Sequence, residues 1–102
     1  MHNYTDILYT TKDGIAVITI NRPERLNAFT GHTIDELIDA ISIADSNGQV
    51  GVIVTGTGTR AFSVGGDMDW ENEGGLEGLD WELGKVIVRC RKPVIARVDG
   101  YA

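Results

Sequence analysis

Apolar residues recur along this chain with two periods, and the switches between them mark its elements. Residues 7–11 and 15–21 are short runs rich in Ile, Val, Tyr and Thr, separated by Lys12-Asp13-Gly14. Asp-Gly between two such runs is a strong hairpin signal. In the second run Ile15 and Val17 point one way while Ala16, Ile18 and Ile20 point the other. Both sets are apolar, which predicts a strand covered on both faces. Asn21-Arg22-Pro23 ends it, because proline lacks the ladder donor and holds its predecessor extended. A polar loop follows through Asn27.

The period then becomes helical. Ile34, Leu37, Ile38, Ile41 and Ala44 fall on one stripe. Thr33 with Glu36 forms one possible capping box, and Thr30 is an alternative cap one turn earlier. Asn47-Gly48 supplies the stop, with glycine suited to the left-handed position after a helix. Residues 50–55 are a nearly continuous apolar run, the pattern of a buried parallel strand. Strand, helix, strand in this order predicts a right-handed crossover. Residues 61–64 read as a short strand, and the acidic, glycine-containing residues 70–78 as a mobile loop. Leu79, Leu83, Val86, Ile87 and Cys90 mark a second helix that ends before Pro93. Arg89, Arg91 and Lys92 sit where they suit its dipole. Residues 94–98 are a last apolar strand before Asp99-Gly100. The order ββαβ, a short β, then αβ is an α/β layout, with no internal repeat.

Composition adds limits. At 102 residues the chain is one domain at most, with a modest core. It is 42% hydrophobic and 24% charged, which argues against disorder. No apolar run approaches a membrane span. The first residues lack the basic and apolar segments of a secretory signal. A net charge of −6 disfavours binding to nucleic acid or an anionic membrane. A single cysteine permits no intrachain disulfide and fits a cytoplasmic protein.

Several motifs offer chemistry. Gly56-Thr57-Gly58-Thr59-Arg60-Ala61 matches a dinucleotide fingerprint, but that fingerprint works only if a helix starts in the loop. Phe62-Ser63-Val64-Gly65-Gly66 is a poor helix start. Asp67, Asp69 and Glu71 alternate like a calcium loop, yet Asn72 stands where the turn glycine belongs and Gly78 where the bidentate glutamate belongs. The whole acidic run, Asp67, Asp69, Glu71, Glu73, Glu77, Asp80 and Glu82, reads as a solvated loop or helix face. His2 and His32 lack partners at metal spacing and read as surface residues. Cys90, on an apolar stripe, reads as a packing residue. Ser63-Val64-Gly65-Gly66-Asp67 is left. Its residues alone fit either a tight turn with Asp67 as N-cap or a backbone that turns its N–H groups towards an anion.

Three segments together carry a resemblance. Ile18-Thr19-Ile20-Asn21-Arg22-Pro23-Glu24-Arg25-Leu26-Asn27-Ala28-Phe29, Arg60-Ala61-Phe62-Ser63-Val64-Gly65-Gly66-Asp67-Met68 and Lys92-Pro93-Val94-Ile95-Ala96-Arg97-Val98-Asp99-Gly100-Tyr101-Ala102 resemble, in order and interval, the signatures of the crotonase, or enoyl-CoA hydratase/isomerase, superfamily. The resemblance implies the N-terminal part of a crotonase-like ββα-repeat fold, with residues 1–102 a truncated portion of that domain. It implies an acyl-CoA thioester as ligand and an oxyanion hole that stabilises its enolate. Coenzyme A would enter as part of the substrate, with no separate cofactor and no metal.

Gly66 matches the first backbone oxyanion donor. Leu26, Ala28, Ala61, Val64, Gly65, Asp67, Met68 and Tyr101 match positions that line the acyl-CoA site. Arg25 and Arg60 would either meet coenzyme phosphates or lie in solvent. The Gly-Gly-Asp form and the closing Arg-Val-Asp-Gly-Tyr-Ala look more like 2-oxocyclohexanecarboxyl-CoA hydrolases and 1,4-dihydroxy-2-naphthoyl-CoA synthases than like simple hydratases. In the family the second donor, the usual acid/base residues and the helices that build a homotrimer or hexamer follow later in the chain. The alternatives are a non-catalytic remnant that binds coenzyme A weakly or assists assembly, and a dinucleotide-binding module.

Overall fold

The computed structural model of the chain describes residues 3–78 and 82–102. A four-stranded sheet runs in the order β1 (Ile7–Lys12), β2 (Ile15–Ile20), β3 (Gly51–Gly56) and β4 (Val94–Ala96). The first pair is antiparallel, with Ile7 opposite Ile20 and Lys12 opposite Ile15, and the other two pairs are parallel. Asp13 and Gly14 both have positive φ, at 53° and 82°. That is the conformation of a type I′ hairpin turn and the reason Asp-Gly sits there.

Helix α1 (Gly31–Ser46) connects β2 to β3 and packs on one sheet face. Ala16, Ile18, Ile20, Ile7 and Val52 meet Leu37, Ala40, Ile41 and Ala44 in one core. Expected coverage of β2 on both sides is therefore met on one only. On the far face Leu8 is 49% and Ile95 58% exposed, and Ile15, Val17 and Ile53 are half-buried. No element among the described residues packs there, so the apolar pattern exceeds the local cover.

The α1 cap is Thr30, not Thr33 with Glu36. Thr30 and Thr33 exchange side chain-to-backbone hydrogen bonds across the first turn. Glu36 is instead buried, and its carboxylate accepts the backbone N–H groups of Thr5 and Asp6 at 2.9 and 2.8 Å. At the other end α1 stops at Ser46 as expected, but with Asn47 extended and Gly48 outside the left-handed region. The exposed carbonyls find distant donors: the Lys92 ammonium reaches Ala44 at 2.7 Å and also Asn47, and the Arg91 guanidinium reaches Asp45 at 3.2 Å. Arg91 and Lys92 thus close the end of α1 rather than that of the helix they follow.

Residues 61–64 form no strand, because only single bridges join Ala61 to Tyr101 and Phe29 to Gly66. The stretch read as a loop holds a short helix, α2 (Met68–Asn72), and a 3-10 turn, Gly75–Gly78. Helix α3 (Glu82–Arg89) covers the described part of the second amphipathic run; Leu79 lies outside the described residues. Leu83, Val86 and the following Cys90 pack against the core, while Val88 is 84% exposed. Strand β4 ends at Ala96, two residues early, although β3 runs on to Gly56. The Arg97 N–H still donates to the Val54 carbonyl at 2.8 Å, but the Arg97 carbonyl accepts from the Thr55 side-chain hydroxyl at 2.9 Å. No described helix is long and apolar enough to cross a membrane.

Candidate functional site

The site is built where two loops from distant parts of the chain meet at the end of the sheet. The first leaves β2, makes a 3-10 turn at Pro23–Arg25, and passes through Leu26 and Asn27 in the left-handed conformation, at φ 52° and 57°. A bulky leucine rarely adopts this conformation, so surrounding contacts must enforce it. Asn27 does so. It is fully buried; its side-chain oxygen accepts the Arg22 N–H at 2.9 Å, and its amide donates to the Ala61 carbonyl at 2.9 Å. One asparagine thereby ties residues 22–28 to the loop after β3.

The second loop contains Gly65, at φ 104°, and Gly66. It lies beside Phe29: the Phe29 N–H donates to the Gly65 carbonyl at 2.9 Å, and the Asp67 N–H donates to the Phe29 carbonyl at 2.7 Å. In a parallel bridge alternate residues turn their amides to opposite sides. The N–H of Gly66 therefore faces away from Phe29, and among the described residues nothing accepts it.

Asp67 anchors the junction. It is 3% exposed, and one oxygen caps α2 through the N–H groups of Asp69 and Trp70 at 3.0 and 3.3 Å. Arg25 grips both oxygens, at 3.0 and 3.1 Å, and extends to Asp69 at 2.5 Å. Arg22 adds a contact at 3.4 Å while donating to the Ala28 carbonyl at 2.5 Å. Its hydrogen bond from Arg25 holds the Asp67 carboxyl below the usual carboxylate range, helped by the two capping amides and opposed by burial. Arg25 lies at the surface, with its side chain 45% exposed, and its guanidinium is engaged by two carboxylates.

A depressed folded-state pKa sets the sign of a pH effect. The stability from Asp67 is fully present above its ordinary value of 3.8 and fades as pH falls through the lower folded value. The stability difference between wild type and Asp67→Asn, from urea unfolding, should shrink between about pH 5 and about pH 2. A difference constant over that range would mean that the carboxylate charge is not what Asp67 contributes.

Arg25, Leu26, Ala28, Val64, Gly66, Asp67 and Met68 line one groove of about 310 Å³, with Glu24 and Asp69 at its edge. Met68 is 74% exposed, an apolar lip beside charged neighbours. Ala61 and Tyr101 lie outside it: Ala61 is buried on the other side of Leu26, and Tyr101 pairs with Ala61 through backbone while its ring is exposed. Arg60 is exposed beside Ala61. Gly65 contributes its turn and its carbonyl.

Other sequence candidates resolve differently. No helix starts in residues 56–61, so the dinucleotide fingerprint lacks the amide cluster it requires. At five residues α2 is also too short to carry much of a macrodipole, which leaves individual amides as the anion donors. His32, read as a surface residue, is exposed and lies 3.0 Å from Glu36 and 2.9 Å from the Thr5 hydroxyl. With Asp6 these side chains form a compact trio. Its carboxylates are already occupied by the backbone of residues 5 and 6 and by the Thr33 hydroxyl, so it fastens the N-terminal segment to α1. Sequence reasoning missed Asn27 and Arg22 as organisers of the site. The available signal was that asparagine tolerates the left-handed region better than most residues.

A mixed sheet flanked by helices, with two loops meeting around Gly66, is the architecture of the N-terminal part of a crotonase fold. The sequence profile of the enoyl-CoA hydratase/isomerase family matches residues 10–102, and the chain belongs to that family. It is similar to an enoyl-CoA hydratase/isomerase from Xanthobacter autotrophicus Py2, at 37% identity and a TM-score of 0.87 over 96% of this chain and 40% of that one. An enoyl-CoA hydratase from Mycobacterium avium subsp. paratuberculosis K-10 gives 31% identity and 0.81, over 96% and 40% of the two chains. A carnitinyl-CoA hydratase from Mycobacterium avium gives 30% and 0.80, over 93% and 39%. The chain thus spans about 40% of the length of these proteins.

Proposed function

We infer that this chain forms the part of an acyl-CoA site that holds the thioester carbonyl for enolate formation, with the N–H of Gly66 as an oxyanion donor. The observation that supports it is the direction of that N–H. The bridge to Phe29 uses the neighbouring carbonyl and amide, so the Gly66 donor is left without an acceptor at the edge of the groove. A fixed amide aimed at developing charge lowers a barrier by roughly 3–4 kcal/mol when water is excluded.

The groove beside it suits coenzyme A. Leu26, Ala28, Val64 and Met68 offer apolar and backbone surface to pantetheine, while Ala61, Gly65 and Tyr101 belong to the loops that frame it. Asp67 and Arg25 act together as the strut that fixes these loops. Coenzyme A enters as part of the substrate, and the proposed chemistry takes no separate cofactor. The second oxyanion donor would come from a glycine triplet after residue 102, and the working assembly would be a cytoplasmic homotrimer or hexamer. Within the family, the Gly-Gly-Asp segment inclines the reading towards carbon–carbon chemistry on cyclic acyl-CoAs, as in 2-oxocyclohexanecarboxyl-CoA hydrolase or 1,4-dihydroxy-2-naphthoyl-CoA synthase.

Equilibrium dialysis tests the binding half. Acetyl-CoA should be retained by the protein, and NADH should distribute equally. Equal distribution of acetyl-CoA would remove the inference, and preferential retention of NADH would restore the dinucleotide alternative.

A further inference from the structure

Asp67 is the N-cap of α2, so Gly66 is the residue before the cap and Glu71 the fourth helical residue. Side chains at these two positions lie against each other, and an apolar pair commonly fills them. Here the pair is a carboxylate over a glycine. A Cβ built on Gly66 would stand 2.1 Å from Oε1 of Glu71, 2.9 Å from Cδ and 3.2 Å from Cγ. The carboxylate therefore covers the α-carbon of the residue whose N–H is unspent.

The support is firm on both sides. Glu71 donates its backbone N–H to the Asp67 carbonyl at 2.9 Å, and Asp67 is itself gripped by Arg25. The neighbouring Trp70 ring is wedged between glycines. A Cβ on Gly75 would fall 2.2 Å from Cε2 of the indole, and one on Gly31 would fall 3.5 Å from Nε1. The indole meets the Phe29 ring in a T-shaped contact, with ring centroids 5.8 Å apart. Yet among the described residues no hydrogen bond or ion pair engages the half-buried Glu71 carboxylate. Other acids nearby have such work: Asp67 caps and pairs, and Asp69 binds Arg25. A half-buried carboxylate without a partner is unfavourable, and an apolar side chain would fill this position better if packing were its role.

We propose that Glu71 is the general base of this site, which rests on the oxyanion reading of Gly66 above. Its carboxylate takes a proton from the carbon next to the thioester carbonyl. The C–H bond breaks, an O–H bond forms on Glu71, and the released pair makes the carbon–carbon double bond of the enolate. The carbonyl π pair moves to the oxygen, which the Gly66 N–H holds. Negative charge passes from Glu71 to that oxygen, so the site's net charge does not change. A carboxylate that stayed ionised would repel the oxyanion; one that is neutralised as the oxyanion forms does not. The reverse step returns a proton to carbon. The same geometry accounts for glycine at position 66, since a methyl group there displaces the carboxylate while keeping the N–H.

The protein expressed from its complete reading frame is incubated with butyryl-CoA in D2O, and deuterium at the α-carbon is followed by mass spectrometry. Glu71→Gln preserves shape and removes the base. Exchange should fall about 100-fold or more, with the dissociation constant for butyryl-CoA changed by less than about twofold. Added formate should restore exchange to Glu71→Ala, whose shortened side chain leaves space for it; a purely structural role for Glu71 gives no such rescue. Exchange in Glu71→Gln within about threefold of wild type would overturn the base assignment. If that happens while Gly66→Pro loses exchange, the oxyanion reading stands alone. Absence of exchange in the wild-type protein would overturn both.

Discussion

Acyl-CoA turnover should fall by about 100- to 1,000-fold when Gly66 is replaced by proline, the range found when a single oxyanion donor is removed. Proline has no N–H, so the one amide that faces away from the Phe29 bridge is deleted. Two side effects must be separated from that loss. Proline also adds a Cβ, which meets Glu71 at 2.1 Å, and it restricts Gly65, which stands at φ 104°. Gly66→Ala carries the same Cβ but keeps the N–H and leaves Gly65 unrestricted. The informative quantity is therefore kcat/KM for the proline variant relative to the alanine variant, with thermal unfolding showing that both are folded. The added Cβ displaces Glu71 in both variants, so the comparison is read where the alanine variant keeps measurable turnover. Equal activities there would mean that the Gly66 N–H makes no contact with the transition state, and the function inferred for the groove would have to be abandoned.

Ile18→Ala should cost about 2–5 kcal/mol of folding stability, the range for emptying a well-packed aliphatic site. Ile18 is fully buried at the centre of β2, between Tyr9 and Val54 on the neighbouring strands and beneath α1. Removing its side chain leaves a cavity that the paired backbone cannot close. Domains of this size are stable by roughly 5–15 kcal/mol, so the variant should be partly unfolded near body temperature. Val17→Ala is the control, because Val17 points to the less covered face. Its cost in urea unfolding should be clearly smaller. Equal costs would mean that the far face is packed as tightly as the core face, contrary to the exposure of Leu8 and Ile95.

These two variants also separate what was legible in the residues from what was not. Ile18 could be assigned to the core from its period alone, since alternation in a strand settles which side chains share a face. Which of two apolar faces would be covered could not be assigned that way. Gly66 was singled out through its segment's likeness to a family signature, and its neighbour Asp67 as a cap through its residue type. Glu71 was grouped with a solvated acidic run, because charge spacing does not show what lies opposite a side chain. Trp70 explains the error over residues 70–78. The stretch looks like a loop by composition, but its helix is held by an indole packed against Phe29 and Gly31, about forty positions earlier in the sequence.

What the sequence determined by itself is therefore short-range. The positive-φ turn at Asp13-Gly14, the stripe of α1, the parallel-strand run of β3 and the cap at Asp67 each depend on residues within a turn or two of one another. Backbone stereochemistry and hydrophobic period act over that span, so they can be read along the chain. Only the tertiary structure decided the long-range pairings. Arg25 reaches Asp67 across 42 positions, Asn27 reaches Ala61 across 34, and Lys92 closes the end of α1 from 48 positions away. Such contacts depend on separation in space after the sheet has formed, and many carboxylates and cations along the chain could have met instead. The unspent N–H of Gly66 and the carboxylate above it belong to this second kind, set by how one bridge and one short helix turn.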